Sequence, residues 1–381
     1  MLSPSRICAF VFALSCAACQ SPEETGAGGS WALLGFEKAD AVNPVLSPDS
    51  SSFTDPVTNK RVFWEQKDVF NPAIVVKDGK VWMLYRAQDT VGLPAGTSRI
   101  GIAESGDGLH FTRYRTPVLY PDNDACKVYE WQGGCEDPRI VEDANGTYYM
   151  TYTAYDGKLA RLLVASSRDL FHWTKHGPVF ADAYHGKYLN KWSKSGSIVC
   201  RYEKGKAIAE KINGKYWMYF GDVFIYTAVS DDLVHWTPVE MKPGEQPPVP
   251  PKNEALNMPA LLIAIPTRNG KFDSDLVEPG PPAMVTDKGI VLIYNSRNLR
   301  NIGDTSLPDG TYTGGQVLMD KNDPTKILAR LDNYFFRPDK PYEITGQVNN
   351  VCFLEGLAYF KNSWFIYYGT ADSKIAVAER R

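Results

Sequence analysis

Residues 105–111 read Ser105-Gly106-Asp107-Gly108-Leu109-His110-Phe111. The phrase returns as Ser167-Arg168-Asp169-Leu170-Phe171-His172-Trp173, and again as Ser230-Asp231-Asp232-Leu233-Val234-His235-Trp236. Each copy follows an apolar, aromatic-rich run of strand character. Repetition at about 65 residues, built from strands and turns, is the signature of a β-propeller, in which each repeat is one four-stranded sheet set radially about an axis. The expected role of the phrase is structural. Its Asp caps a turn through the side chain, and its aromatic closes the space between blades. The acids Asp107, Asp169 and Asp232 and the histidines beside them are therefore not read as catalytic.

Hairpins fill in the repeats. Residues 73–76 and 81–85 flank Lys77-Asp78-Gly79-Lys80, and Asn145-Gly146 separates 139–141 from 148–152. Asn213-Gly214 separates 207–212 from 216–220, Asp287-Lys288-Gly289 separates 283–286 from 290–294, and Lys361-Asn362-Ser363 separates 352–360 from 364–368. Such turn residues supply the positive φ that tight hairpins require. Five hairpins predict an all-β, five-bladed propeller with an axial active site. Helical periodicity is weak throughout. The Pro-rich run 243–251 and the irregular stretch 298–313 read as long rim insertions of the kind that shape access to a site.

The chain has 381 residues and a formal net charge of −3, which gives no reason to expect nucleic acid as a partner. Aromatic residues make up 12% of it, a fraction suited to packed blades and to surfaces that stack on sugars. Residues 1–19 read as a targeting segment. Arg6 supplies the positive start, 7–18 is apolar but too short to span a membrane, and small residues follow. Ala17-Ala18-Cys19 resembles a bacterial lipoprotein processing site. Cys19 is then the lipidated residue, with Cys16 as a second candidate. Residues 20–35 are read as a flexible tether and 36–381 as the propeller. The expected location is the periplasm or outer membrane, with membrane contact only through the lipid. Of seven cysteines, four lie beyond the leader: Cys126, Cys135, Cys200 and Cys352. Cys126 and Cys135 are close enough in sequence to pair, but spacing does not fix connectivity. No clustered His/Cys pattern points to a metal, and no cofactor is expected.

Polar residues recur where inner strands begin. Asn71-Pro72 opens the first blade and Glu136-Asp137-Pro138-Arg139 the second. Lys194-Ser195-Gly196-Ser197 and Glu210-Lys211 lie near the third. Glu278-Pro279-Gly280 opens the fourth and Glu355-Gly356 the fifth. Acids at one station in successive blades converge on the axis, which favours a site over the solvated loop carboxylates that most proteins carry.

With Asn71-Pro72, Tyr85-Arg86-Ala87-Gln88-Asp89, Gly134-Cys135-Glu136-Asp137-Pro138-Arg139 and Tyr368-Gly369-Thr370-Ala371-Asp372, the chain resembles glycoside hydrolase family 130 from about residue 71 to 378. That family holds β-mannoside phosphorylases and β-mannosidases on a five-bladed propeller. The resemblance implies Asp137 as general acid, acting through a hydroxyl of the sugar. It implies Asn71, Arg86 and Asp372 as residues holding the sugar at the cleaved bond. Asp89, Glu136, Lys194, Glu210 and Glu355 join them as candidate substrate-binding residues. Arg139 is read as a structural partner of Glu136.

Both outcomes in this family invert the anomeric centre, and the nucleophile differs. Phosphate needs a cationic pocket, whereas hydrolysis needs a carboxylate to take a proton from water, across a gap that admits it. The chain departs from the phosphorylase pattern at Gly221-Asp222, where relatives tend to carry Arg, and at Asp275-Leu276-Val277-Glu278, where they tend to carry a basic residue. Glu278 is therefore the candidate base. Lys194, Arg201 and Lys211 keep a phosphate site open. An exported phosphorylase would also release its sugar phosphate away from cytosolic metabolism. The expectation is an exported inverting β-mannosidase acting on an oligosaccharide, with β-1,2-mannooligosaccharides as the candidate by analogy with hydrolytic relatives. The alternatives are a β-mannoside phosphorylase, an arabinan-type hydrolase on the same fold, and a non-catalytic glycan-binding propeller.

Overall fold

The computed structural model describes residues 31–92, 95–245 and 260–381. The leader, Cys16, Cys19 and most of the Pro-rich run lie outside the described residues. Strands dominate, with two one-turn helices, Lys127–Glu130 and Pro341–Ile344.

Five sheets are present among the described residues. Blade 1 is Asp68–Lys77, Lys80–Gln88, Ser98–Ser105 and Thr112–Arg113. Blade 2 is Gly134–Glu142, Tyr148–Tyr155, Ala160–Ser167 and Thr174–Pro178. Blade 3 runs from Ser197–Glu203 through Lys215–Phe220 and Ile225–Ser230 to Trp236–Pro238. Blade 4 pairs Leu276–Pro279 and Ala283–Val285 with Ile290–Arg297, followed by Tyr312–Met319 and Ile327–Arg330. Blade 5 is Cys352–Phe360, Ser363–Thr370 and Lys374–Arg380, and its outer strand is Glu37–Lys38 from the other end of the chain. Glu37 pairs with Glu379 and Lys38 with Ala378, closing the ring. The hairpin turns are where the sequence puts them. Asp78 and Gly79 sit at φ 51° and 72°, and Asn213 and Gly214 at 52° and 81°, the left-handed pair that joins twisted strands without splaying them.

The hydrophobic core is divided into wedges between neighbouring blades. Ala73, Leu84 and Ile102 of blade 1 pack with Ile140, Met150 and Leu163 of blade 2. Val81, Met83 and Tyr85 of blade 1 pack on their other side with Ala358, Tyr367 and Val377 of blade 5. The repeated Ser-x-Asp phrase links third to fourth strands as expected. Asp107 Oδ1 accepts from the amides of Leu109 and His110 at 2.9 and 2.8 Å, and Asp169 and Asp232 repeat the arrangement. Phe111 meets Tyr367 edge-on across the closure at 5.8 Å, and Phe171 meets Trp82 across the next wedge at 5.6 Å.

A second repeat was not visible in the sequence. In four blades a buried tyrosine of the second strand donates to an acid from the segment entering the blade, and that acid meets a cation on the blade's outer strand. The sets are Tyr85–Glu65–Arg113, Tyr152–Glu130–Lys175, Tyr294–Asp273–Arg330 and Tyr368–Glu343–Lys38. Each ties three parts of one blade together, the hydrogen bond and the cation offsetting part of the cost of burying the acid. In blade 3 the matching Tyr219 hydroxyl donates to the Pro324 carbonyl instead.

One boundary differs from expectation. The packed body begins at Trp31, inside the proposed tether of 20–35. Leu33 is 8% exposed, and Gln316 hydrogen-bonds both its amide and its carbonyl, at 2.8 and 2.7 Å. Apolar Trp31, Leu33 and Phe36 have a wedge between blades 4 and 5 to fill, so the chain docks early. Cys126, Cys135, Cys200 and Cys352 all carry free thiols and are buried.

Candidate active site

The axial station is built by β-bulges. In blade 1, Phe70 faces Arg86 and Pro72 faces Tyr85, leaving Asn71 as the extra residue. In blade 2, Glu136 faces Thr153 and Arg139 faces Thr151, so Asp137 and Pro138 oppose one residue. In blade 5, Leu354 faces Tyr368 and Gly356 faces Tyr367, leaving Glu355 unpaired. A bulge re-aims its side chain out of the alternating pattern. Asn71 and Asp137 take φ 48° and 49°, a region that Asn and Asp tolerate best among residues with a Cβ. The following proline has no amide to leave unpaired. Asp372, at φ 50°, enters from the turn after the second strand of blade 5.

Asn71, Asp137 and Asp372 meet Arg86, Lys194 and Glu278 in a cavity of about 120 Å³, with Tyr312, Val348, Val351 and Phe353 as its less polar wall. All five blades, or the segments entering them, contribute. Asp137 Oδ1 accepts from Asn71 Nδ2 at 2.9 Å and Arg86 Nη1 at 3.0 Å, and Lys194 Nζ stands 3.7 Å from Oδ2. Arg86 uses three of its five donors on neighbouring side chains. Its Nη2 donates to Glu136 at 2.8 Å, its Nε donates to Ser98 at 3.0 Å, and its plane lies over the Phe70 ring. Glu278 is 5% exposed and accepts from the Ser195 hydroxyl. Behind it, Trp192 Nε1 donates to Asp222 at 2.8 Å, and the Gly221 amide donates to the Lys194 carbonyl at 2.9 Å.

Environment separates the carboxylates. Burial alone would raise Asp137, but Arg86, Lys194 and Asn71 together hold it well below the usual range. Burial pushes Glu278 up to about 7, against the pull of Lys194 and with a further push from Asp222. Burial likewise raises Asp372 to about 6. Paired carboxylates driven apart in this way are the mark of acid–base chemistry. The site thus favours the ionised form of Asp137 and raises the proton affinity of Glu278.

The family model for glycoside hydrolase family 130, described as β-1,4-mannooligosaccharide phosphorylase, matches residues 37–381. The chain belongs to glycoside hydrolase family 130. A 1,2-β-oligomannan phosphorylase of Thermoanaerobacter sp. (strain X514) is 32% identical over 325 residues, 83% of this chain and 90% of that protein. The crystal structure of a glycosyl hydrolase from Bacteroides ovatus is 48% identical with a TM-score of 0.84, covering 92% of this chain and 94% of that one. Another structure was described with the finding that the family of mannoside phosphorylases contains hydrolases targeting β-1,2 mannosidic linkages in Candida mannan. It is 47% identical with a TM-score of 0.85, covering 92% of this chain and 95% of that one. Family 130 is a family of enzymes acting on mannosides, and the propeller expected from the sequence is its fold. By name, the curated relative speaks for the phosphorolytic alternative rather than for hydrolysis.

Of the residues the sequence singled out, Asn71, Arg86, Asp137, Lys194, Glu278 and Asp372 share the cavity, and Glu136 stands just behind it as the partner of Arg86. Four expectations are corrected. Asp89 does not reach the cavity: one oxygen caps the amides of Val91, Gly92 and Thr97, and the other pairs with Arg99 at 2.7 Å. Glu210 follows residues 206–209, which pair with the inner strand of blade 3, but its side chain does not line the cavity; it is 35% exposed and 4.0 Å from Arg201. Glu355 is fully buried beneath the cavity and faces Arg139 rather than a sugar position. Arg139 in turn makes no pair with Glu136; it bonds main-chain carbonyls and faces Glu355. The sequence reading missed Tyr312, Val348, Val351 and Phe353. The last three immediately precede the blade 5 inner-strand station, a position that was itself a usable signal.

Proposed function

We propose that this protein is an exported, inverting glycoside hydrolase of β-mannosides, with β-1,2-linked mannooligosaccharides as its first candidate substrates. Asp137 is the general acid, Glu278 the base that activates water, and Asn71, Arg86 and Asp372 the groups that hold the sugar. The observation carrying the reading is the charge balance of the cavity. Three carboxylates line it, and its two cations are already committed: Arg86 to Asp137, Glu136 and Ser98, and Lys194 to a position among Asp137, Glu278 and Asp222. A phosphate dianion entering there would meet carboxylates first, whereas neutral sugar hydroxyls find both acceptors and donors. The apolar wall of Val348, Val351 and Phe353 suits the C–H face of a pyranose.

Phosphorolysis is the second reading. It is favoured by the names of the curated relatives and by a rim cation, Arg297, whose guanidinium lies over the ring of Tyr312 at 5.8 Å. The deciding experiment incubates mannobioses of each linkage with and without inorganic phosphate and identifies the products. Free mannose formed at the same rate in both supports hydrolysis. Mannose 1-phosphate formed only with phosphate overturns it. No turnover on any mannoside, with glycan binding intact, leaves the non-catalytic reading. Export and attachment at Cys19 rest on the leader alone. Radiolabelled fatty acid incorporation that persists in Cys19→Ala would move the anchor to Cys16, and none in the wild type would remove it.

A further inference from the structure

Arg139 is 1% exposed and belongs to the inner strand of blade 2. Its guanidinium spans the axis. Nη1 donates to the carbonyl of Asp137 at 3.2 Å, Nη2 to the carbonyl of Pro279 at 2.7 Å and Nε to that of Gly280 at 2.8 Å. Pro279 directly follows Glu278. One planar group is thus bonded to the main chain of one acting carboxylate and to the residue next to the other. Its charge faces Glu355, 3.5 Å away and fully buried, whose two oxygens have no hydrogen-bond partner among the described residues. Gly280 shows how tightly the strands approach: a Cβ there would stand 2.8 Å from the Ile293 carbonyl and 2.9 Å from that of Leu354.

We infer that Arg139 is a positioning residue that sets the separation of Asp137 and Glu278, with Glu355 as the buried carboxyl packed against its guanidinium. The inference rests on the reading of Asp137 and Glu278 as the acting pair. A guanidinium suits the task because its donors have fixed directions and it cannot lose its charge at accessible pH. Lysine carries the charge but cannot bridge three carbonyls as one rigid plane. The sugar-holding residues Asn71, Arg86 and Asp372 belong to blades 1 and 5, so losing the bridge between blades 2 and 4 disturbs the reacting geometry more than substrate binding. A misplacement of about 1 Å at reacting groups costs on the order of a hundredfold in rate.

The test compares Arg139→Met, Arg139→Lys and the double variant Arg139→Met/Glu355→Leu, on β-1,2-mannobiose and 4-nitrophenyl β-D-mannoside. Arg139→Met leaves the Glu355 carboxyl buried without its cation and melts earlier than wild type. The double variant removes both side chains and regains part of the lost melting temperature, the three carbonyls staying without their donor, and its kcat stays about a hundredfold down with KM within about threefold. A folded double variant with kcat within threefold of wild type overturns the positioning role. If neither Met variant folds, Arg139→Lys decides: wild-type melting with kcat reduced at least about tenfold supports the role, and undiminished kcat overturns it. Glu278→Gln, assayed alongside, separates the two levels. Undiminished turnover there removes the proposed base, whereas a crippled Glu278→Gln beside a fully active double variant removes only the role of Arg139.

Discussion

Asn71 and Asp137 occupy the same bulge in adjacent blades, and the amide of one donates to the carboxylate of the other at 2.9 Å. Each has a left-handed backbone and each is followed by proline. The pseudo-symmetry of the ring brings equal stations together at the axis, so one local device used twice makes a donor–acceptor pair. One copy carries an amide, which donates to the charged form of the other. Together with Arg86 and Lys194 it lowers the proton affinity of Asp137, so the proton that Asp137 passes on must come from within the site, with Glu278 as the group of higher proton affinity.

Asp137→Asn is expected to fold normally, because asparagine accepts the same backbone conformation. Turnover should fall by about a hundredfold or more, the usual cost of a lost general acid. Steady-state kinetics with a thermal melt on the same preparation checks this. Undiminished rates in a folded variant would remove Asp137 from its role.

The pH profile of kcat/KM should be a narrow bell. Asp372 titrates near 6, and below that value it is protonated and a poorer acceptor for a sugar hydroxyl, so activity rises through about pH 6. Above about 7 Glu278 gives up its proton, Asp137 being already ionised, so no proton is left for the leaving group and activity falls. Asp372→Asn should flatten the acidic limb and leave the alkaline limb in place. A wild-type profile that keeps climbing through pH 8 would contradict the assignment of that proton to Glu278.

The blades were legible because turn chemistry and the Ser-x-Asp phrase are local. The stations at Asn71, Asp137 and Glu278 were legible because each precedes a proline in a strand, a pairing that only a bulge or strand end accommodates. Asp89 misled because its fate is decided by Arg99, which approaches from the third strand and is itself held by Asp55 near the start of the body. No local pattern reports that. Glu210 misled through register, since strand residues alternate faces and a small offset carries a side chain away from the axis. Phe353 and Val351 look like core until the cavity is seen. Glu37–Lys38 is too short to be recognised as a strand, yet it closes the ring.

Lys38→Met tests that closure. Glu343 is fully buried and pairs with Lys38 at 2.7 Å, while also accepting from Tyr368 and from the amides of Asp339 and Lys340. Methionine keeps the strand pairing but leaves the carboxylate without its cation, at a cost of about 3 kcal/mol. Urea unfolding should show a lower midpoint with an unchanged slope, and activity per folded molecule should match wild type. An unchanged midpoint would mean that the remaining hydrogen bonds of Glu343 suffice.

Lys194→Met separates the two possible nucleophiles. The ammonium stands 3.7 Å from Asp137 Oδ2 and favours the ionised forms of both Asp137 and Glu278. In a hydrolase its main effect is on those carboxylates. Removing it raises the proton affinity of both, so the alkaline limb of kcat/KM moves to higher pH while the rate remains indifferent to phosphate. In a phosphorylase the same side chain would be a phosphate ligand, and its loss would appear as a raised KM for phosphate, by about tenfold or more for one charge-assisted contact. Measuring the pH profile and the phosphate dependence on one variant therefore distinguishes a cation that tunes water-activating carboxylates from one that binds the nucleophile. A shifted limb without phosphate dependence favours water, and a phosphate-dependent loss with an unmoved limb reverses the proposed function.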